Sequence, residues 1–316
     1  MIKQIISDDD NDIRLDRWFK RHFPSLQHAM LEKMLRKGDV RLDGKKAKSS
    51  QRVVAGGEIS YPDLGAEFFF VKAKPLASEQ DAKMLQGLVL YKDANIIIIN
   101  KPFGLAVQGG TKVLKSLDDM LDGLKFDAKE RPKLVHRLDR DTSGVLVLAR
   151  NSRTASHMAK MFAGKDIEKT YLALVHGCPM QAVGVIDYRL LKAAHGADSY
   201  ERVAVDDEEG KFARTEYRVV ENLARKFALL ELKPLTGRTH QLRVHTQAIG
   251  CPIVGDMKYG GESSQIADVG ISDGLHLHAR RIVIPAFGSG KKIDITAPLP
   301  PHMKESFKNL GIEVKK

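Results

Sequence analysis

The chain has 316 residues, 43% of them hydrophobic, and a formal net charge of +11. That length suits about two domains and that apolar content can build a core, so wholesale disorder is excluded and a polyanionic partner is favoured. The two cysteines, Cys178 and Cys251, sit in no ligand spacing, which argues against a disulfide framework or a zinc site. No window approaches the roughly 18 uninterrupted apolar residues of a membrane span, and the start lacks an apolar signal core; the expectation is a soluble cytoplasmic monomer without membrane contact.

Residues 13–52 hold twelve Lys/Arg against four Asp/Glu, most of the chain's excess. Leu15, Trp18 and Phe19 recur at helical spacing and predict a helix that stops near Phe23-Pro24. Ser25 is expected to cap a second helix, with Leu26, Met30, Leu31, Met34 and Leu35 on its apolar face and Gly38 at its end. Asp43-Gly44 is a hairpin signal, because both turn positions accept positive φ. Val53-Val54 and residues 58–61 supply a further strand. Two small helices and a hairpin, with Arg14, Arg17, Arg36, Lys37 and Arg41 clustered, resemble the S-four-like RNA-binding domain. A basic module with a merely solvated face is the plainer alternative, but an RNA backbone better explains an excess confined to about 40 residues. This domain is placed at 1–75. Lys72, Lys74, Pro75, Ser78 and Gln80 read as an extended linker to about 86.

The second domain, 87–316, opens with strands at 88–91 and 96–100 and the loop Lys101-Pro102-Phe103-Gly104. A phosphate-binding loop at Gly109-Gly110-Thr111-Lys112 is rejected on spacing, so no nucleotide cofactor is expected. Residues 116–124 form a short amphipathic helix. Asn151 or Ser152 caps another, with Ala155, Met158 and Phe162 buried and Gly164 at its end. Between them lies the densest polar segment, His136-Arg137-Leu138-Asp139-Arg140-Asp141-Thr142-Ser143-Gly144, a loop that feeds the apolar strand Val145-Leu146-Val147-Leu148-Ala149. A lone Asp in such a loop is ordinarily a turn cap. Lys169 to Val175 alternates as a strand, and its Tyr171 is by default a core residue. Residues 185–215 are polar and irregular, with strand-like pieces at 190–191 and 202–205. Strands at 212–219 and 228–234 precede Gly237-Arg238-Thr239-His240-Gln241-Leu242-Arg243-Val244-His245, where Thr239 is placed as a helix cap. His240 and His245 are a poor zinc pair on a helix, and His276 and His278 share a strand face without an evident third ligand, so no metal is expected. A strand at 293–295 and a helix bounded by Pro300-Pro301 close the chain.

His-Arg-Leu-Asp-x-x-Thr-Ser-Gly at 136–144 resembles the signature of the RluA-type RNA pseudouridine synthases. Asn100-Lys101-Pro102-x-Gly104, Lys169-x-Tyr171-x-Ala173-x-Val175-x-Gly177, Gly237-Arg238-x-His240-Gln241-Leu242-Arg243-x-His245 and Gly255-Asp256-x-x-Tyr259-Gly260 resemble its other motifs, and Val107-x-Gly109-Gly110 looks more like the RluC branch than the RluD branch. The resemblance implies an α+β fold: a catalytic domain on a mixed, mainly antiparallel sheet flanked by helices, beside the small RNA-binding domain. It implies isomerisation of uridine to pseudouridine in large-subunit ribosomal RNA, by base flipping and without a cofactor. In that family's terms Asp139 is the nucleophile, Arg238 pairs with it and Tyr171 packs on the target base. Leu277 and Leu138 line the pocket, and Arg137 enters the helix where the base was. For Arg243 a structural ion pair is expected. Whether Asp139 attacks the ribose or promotes base elimination stays open. RluD- or RluA-type targets share these motifs. A non-enzymatic ribosome-assembly factor would have lost Asp139 or Arg238. A base-removing glycosidase usually pairs two carboxylates, and only Asp139 and Asp141 are close in sequence.

Overall fold

The computed structural model describes residues 1–65, 68, 78–109, 113–164, 166–193, 202–224, 226–261, 270–286 and 291–314. The chain divides into two compact units, Met1–Pro75 and Leu76–Lys316.

The first unit contains β1 (Ile2–Ile5), α1 (Leu15–His22), α2 (His28–Lys37), β2 (Arg41–Leu42), β3 (Lys45–Lys46) and β4 (Glu58–Tyr61). The strands form an antiparallel sheet in the order β1-β4-β2-β3. Its core is aromatic: Trp18, Phe19 and Phe23 surround Tyr61 with ring centroids 5.2–6.0 Å away. Asp43 and Gly44 take φ of 49° and 75°, the turn their pairing demands. Ser25 does not cap α2. After Pro24 the chain makes another turn, with Leu26 N–H donating to the Phe23 carbonyl, and Gln27 precedes the helix. Leu26 is therefore buried ahead of α2, while Met30 is exposed. Arg14, Arg17, Arg36, Lys37 and Arg41 are all exposed.

The expected linker ends early. Ser78 caps α3 (Glu79–Gly87) in a reciprocal box with Asp81, and Leu85 of this helix is fully buried in the second unit's core. Gln80 is thus helical; Lys72, Lys74 and Pro75 lie outside the described residues. There follow β5 (Val89–Lys92), β6 (Ile96–Lys101), α4 (Leu117–Met120, continued by a 3-10 turn to Leu124), β7 (Lys133–Leu134), β8 (Ser143–Ala149), α5 (Ser152–Gly164), β9 (Glu168–His176), β10 (Val183–Ala193), β11 (Arg202–Val205), β12 (Lys211–Leu223), β13 (Phe227–Pro234), α6 (Gln241–Ala248), β14 (Leu277–Ile284), β15 (Ile293–Thr296) and α7 (Pro301–Asn309). The eleven strands make one sheet in the order β11-β10-β12-β13-β9-β14-β8-β6-β5, with β15 on β14 and β7 on β8. Among the described pairings, β14 with β8 is parallel and the rest are antiparallel. Of residues 185–215, expected to be irregular with strand-like pieces at 190–191 and 202–205, both pieces are strands and the first is longer than expected, running through Val183–Ala193; residues 194–201 lie outside the described residues. Val183 and Val185 are exposed on the same strand face as Asp187 and Arg189, so apolar residues stand on the solvent side and dilute the alternation that a half-buried strand shows.

The helices cover both sheet faces. On one, Leu85 of α3 and Leu117 and Met120 of α4 pack on Ile97, Ile99, Leu146 and Leu148; further along, Leu242 of α6 packs on Ala173, Leu230 and Leu277. On the other, Met158 and Met161 of α5 and Met303 and Phe307 of α7 cover the alternate residues. Tyr171 touches both clusters of the first face and so marks the seam between them.

At that seam Gly144 has φ of 111°, and a Cβ there would stand 2.2 Å from the Ala279 carbonyl oxygen. Gly144→Ala is expected to destabilise the protein by more than about 3 kcal/mol, because backbone rather than a flexible side chain must yield; a shift in the urea midpoint measures it. His245, His276 and His278 are fully buried, and burial pushes all three down to about 4. The unfolded chain, with histidines near 6.5, binds more protons below that pH, so each group should remove up to about 1.4 kcal/mol of stability per pH unit as pH falls from 6.5 toward 4. Unfolding midpoints from pH 7.5 to 4.5 should decline across that window and stay level above it.

Candidate active site

Cross-strand register places six residues in one row: Tyr217, Leu232, Tyr171, Ala279, Gly144 and Lys101, from β12 through β13, β9, β14 and β8 to β6. The parallel contact of β8 with β14 carries the site. It sets Ser143 beside His278 and Gly144 beside Ala279, so the loop before β8 and the first residue of β14 meet at the same end of the sheet. Asp139 lies in that loop and Leu277 begins that strand. A cavity of about 370 Å³ opens there, lined among others by Arg137, Leu138, Asp139, Tyr171, Arg238, His240, Arg243 and Leu277. All six catalytic and pocket residues expected from the sequence thus border one space. Leu138 and Leu277 are buried apolar wall, Tyr171 is partly buried, and Arg137 is exposed at the rim. Burial and the Asp139 charge push the Tyr171 phenol up, so the ring stays neutral. Asp139 is the only carboxylate among the described lining residues.

The charged partner of Asp139 differs from the expectation. Arg238 reaches the rim and its Nε donates to the Phe212 carbonyl at 3.0 Å. Among the described residues the arginine within ion-pair distance of Asp139 is Arg243, with Nη1 3.8 Å from Oδ2. Arg243 is also the structural ion pair that the sequence suggested: its Nε and Nη2 donate to the two oxygens of buried Asp256, each at 2.7 Å. Burial works against its charge, yet the Asp256 hydrogen bonds and charge hold its pKa above the ordinary arginine value. The reason is local. Arg243 sits in the first turn of α6 and faces the sheet, whereas Arg238 precedes the helix and faces out; spacing along the chain does not reveal which arginine turns inward.

Thr239 is not the cap of α6. His240 takes that place in a left-handed conformation, φ 52°. The preceding turn is fastened by Gln241, whose buried amide accepts from Arg238 N–H at 3.0 Å and from Thr236 Oγ1 at 2.7 Å, and donates to the Arg214 carbonyl at 3.0 Å and Thr215 Oγ1 at 2.9 Å. This brings His240 Nε2 to 3.9 Å from Asp139 Oδ2.

Three further residues were not singled out from the sequence. Lys101, fully buried, donates to the carbonyls of Pro102, Leu105 and Arg140 at 2.8–2.9 Å, tying the Asp139 loop to its own. Burial pushes its pKa down to about 7 while the Asp141 and Asp139 charges pull it up. Three acceptors at such distances require three N–H donors, which only the ammonium form has. His136 stacks on Phe162 at 4.2 Å and accepts from Val147 N–H at 2.8 Å; burial pushes it to about 3, so it is neutral. Lys169, two residues before Tyr171 on the same strand, lines the cavity, and burial pushes its pKa down. Among the described residues it has no hydrogen-bond or ion-pair acceptor. The motif positions were the available signal for these groups, but their roles depend on contacts the sequence does not display. His276 and His278 are engaged internally, with Ser306 Oγ at 2.8 Å and Ser143 Oγ at 2.9 Å.

The assembly is a single carboxylate flanked by a guanidinium and an imidazole, with apolar and aromatic walls wide enough for a planar base. The chain as a whole is similar to known proteins. The family model "RNA pseudouridylate synthase" matches residues 95–248. The Ribosomal large subunit pseudouridine synthase C of Rickettsia bellii is 36% identical, over 92% of this chain and 95% of that protein. The mitochondrial RNA pseudouridine synthase 4 of Arabidopsis thaliana is 34% identical, over 98% of this chain and 82% of its own length. The solved structure of Human RNA Pseudouridylate Synthase Domain Containing 4 superposes with a TM-score of 0.63 at 31% identity, covering 74% of this chain and 97% of that one. With near full-length relatives at this identity, the chain belongs to the RNA pseudouridylate synthase family and is an RluA-type RNA pseudouridine synthase.

Proposed function

We propose that this enzyme isomerises uridine in large-subunit ribosomal RNA, with Asp139 as the reacting acid. The observation that carries the reading is the isolation of Asp139 as the sole described carboxylate of the cavity, with Arg243 beside it. Isomerisation breaks the N1–C1′ bond and joins C5 to C1′. The proton leaves C5 and N1 gains one, so no redox partner or metal enters the balance. Addition to the sugar and abstraction of a sugar proton both start from a carboxylate, and the Arg243 guanidinium offsets its negative charge. Tyr171 is the surface for the everted base, Leu277 and Leu138 are its apolar walls, and Arg137 fills the vacated stack. The ribosomal target is supported by the relatives of bacterial origin, named for the large subunit, that match across 91–96% of this chain.

The first unit serves as the S-four-like RNA anchor in this reading. Its two short helices, hairpin and exposed Arg17, Arg36 and Lys37 present charge suited to a phosphate backbone. Arg14 and Arg41 join them, the former also bound to Asp16 at 2.6 Å and the latter to the Gly38 carbonyl at 3.3 Å. In the pocket, Lys169 is a half-buried cation that an RNA phosphate would complete.

Asp139→Asn should abolish pseudouridine formation on large-subunit RNA transcripts and keep RNA affinity within about twofold, since one charge inside the cavity barely alters a phosphate-dominated interaction. Tritium release from 5-tritiated uridine RNA, read beside filter binding, checks both halves; near-normal turnover would remove Asp139 from the chemistry. Lys169→Gln should reduce the slope of log affinity against log salt by about 0.7–0.9, one phosphate's worth, and Arg36→Gln with Lys37→Gln by about twice that. An unchanged slope would mean that these cations do not meet phosphate. Chromatography of nucleosides from treated RNA should show pseudouridine and no free uracil.

A further inference from the structure

A line of hydrogen bonds runs into the pocket behind Asp139. Val203 N–H donates to Tyr259 Oη at 3.1 Å, and His240 Nδ1 lies 2.7 Å from the same oxygen. Among the described residues the phenol's own proton has no acceptor other than His240 Nδ1, and donating to it satisfies the O–H while Oη accepts from Val203. A neutral imidazole that accepts at Nδ1 carries its proton on Nε2. That nitrogen faces Asp139 Oδ2 at 3.9 Å, and Arg243 Nη1 approaches the same oxygen from 3.8 Å.

Tyr259 is held on two sides. The Arg243 guanidinium lies 5.0 Å from its ring centroid, and its backbone N–H, with that of Lys258, donates to Asp256 Oδ1 at 3.1 and 3.0 Å. Asp256 in turn grips Arg243, so one buried carboxylate fixes both the cation and the phenol. His240 keeps a left-handed backbone, φ 52°, which a residue chosen only to start a helix would avoid.

We propose that Tyr259 and His240 are positioning residues acting through Asp139: Val203 and Tyr259 lock the imidazole as its Nε2–H tautomer, and that N–H orients Asp139 Oδ2 toward the nucleoside. The gap of 3.9 Å closes when substrate fills the cavity, as donor–acceptor distances in ligand-free sites commonly do. In this tautomer the basic nitrogen faces Tyr259, so His240 does not take the C5 proton. The proposal rests on Asp139 being the reacting acid.

Two measurements on the full chain test it. In ¹⁵N-histidine spectra, with His240 assigned by its disappearance in His240→Gln, the wild type should show the Nε2–H form and Tyr259→Phe a mixture. An Nδ1–H form in the wild type would overturn the relay. In kinetics, His240→Leu should lower kcat roughly 10- to 100-fold with KM nearly unchanged, and His240→Gln, whose amide nitrogen reaches the Nε2 position, should recover most of it. Equal losses in both variants, or a loss confined to KM, would reduce His240 to a packing role. The tautomer is read without turnover, so failure of the wild type on ribosomal RNA would sink the substrate reading, while the spectra would still decide for or against the relay.

Discussion

Two strands that run in the same direction hold this active site together. β8 and β14 meet over two residues only, Ser143 with His278 and Gly144 with Ala279. Among the described pairings the other strands of that sheet are antiparallel, and the short parallel contact is possible because Gly144 has no side chain to strike the Ala279 carbonyl. The buried Ser143–His278 hydrogen bond fastens the pair from the side. Everything reactive hangs from this crossing. Asp139 precedes one strand, Leu277 begins the other, and Tyr171 stands one strand further along in the same row.

Arg243 links that row to the chain's later motifs. One guanidinium commits two nitrogens to buried Asp256 and offers the third to Asp139. A buried cation serving two acids is costly to desolvate, and its full pairing with Asp256 is what keeps it charged. The charge facing Asp139 is therefore set by a residue outside the cavity lining. The same Asp256 also holds the backbone of Tyr259, so the cation and the phenol share one anchor.

The cavity lies where two helical layers on one sheet face fail to meet. α3 and α4 cover one stretch and α6 another, and Tyr171 borders both. Such a seam provides apolar walls without demanding a specialised loop. Polar groups then enter from two sides, the 136–142 loop and the turn into α6, each pinned by a buried side chain: Lys101 for the first, Gln241 for the second.

Much of this was legible in order along the chain. The helices of the first unit, the Asp43-Gly44 hairpin, the strands flanking the central motif and the amphipathic helices follow from periodicity and turn chemistry, which are local properties. Asp139 and Tyr171 were singled out by the resemblance of the 136–144 and Lys-x-Tyr segments to the family's motifs; by residue type and spacing alone they read as a turn cap and a core residue. The choice between Arg238 and Arg243 was not legible. Both stand in one motif, five residues apart, and which turns toward Asp139 depends on where α6 starts and which side meets the sheet. β11 and β12 were legible as strand-like stretches, but the full length of β10 was not, since it finds its partners only after the chain doubles back and its exposed Val183 and Val185 hide the alternation. Local sequence sets which side chains are available and which elements they build. Only the tertiary fold, by bringing strands from positions 143 and 277 into register and closing Asp256 on Arg243, decides which of those side chains share a cavity, because such contacts join residues that no local pattern relates.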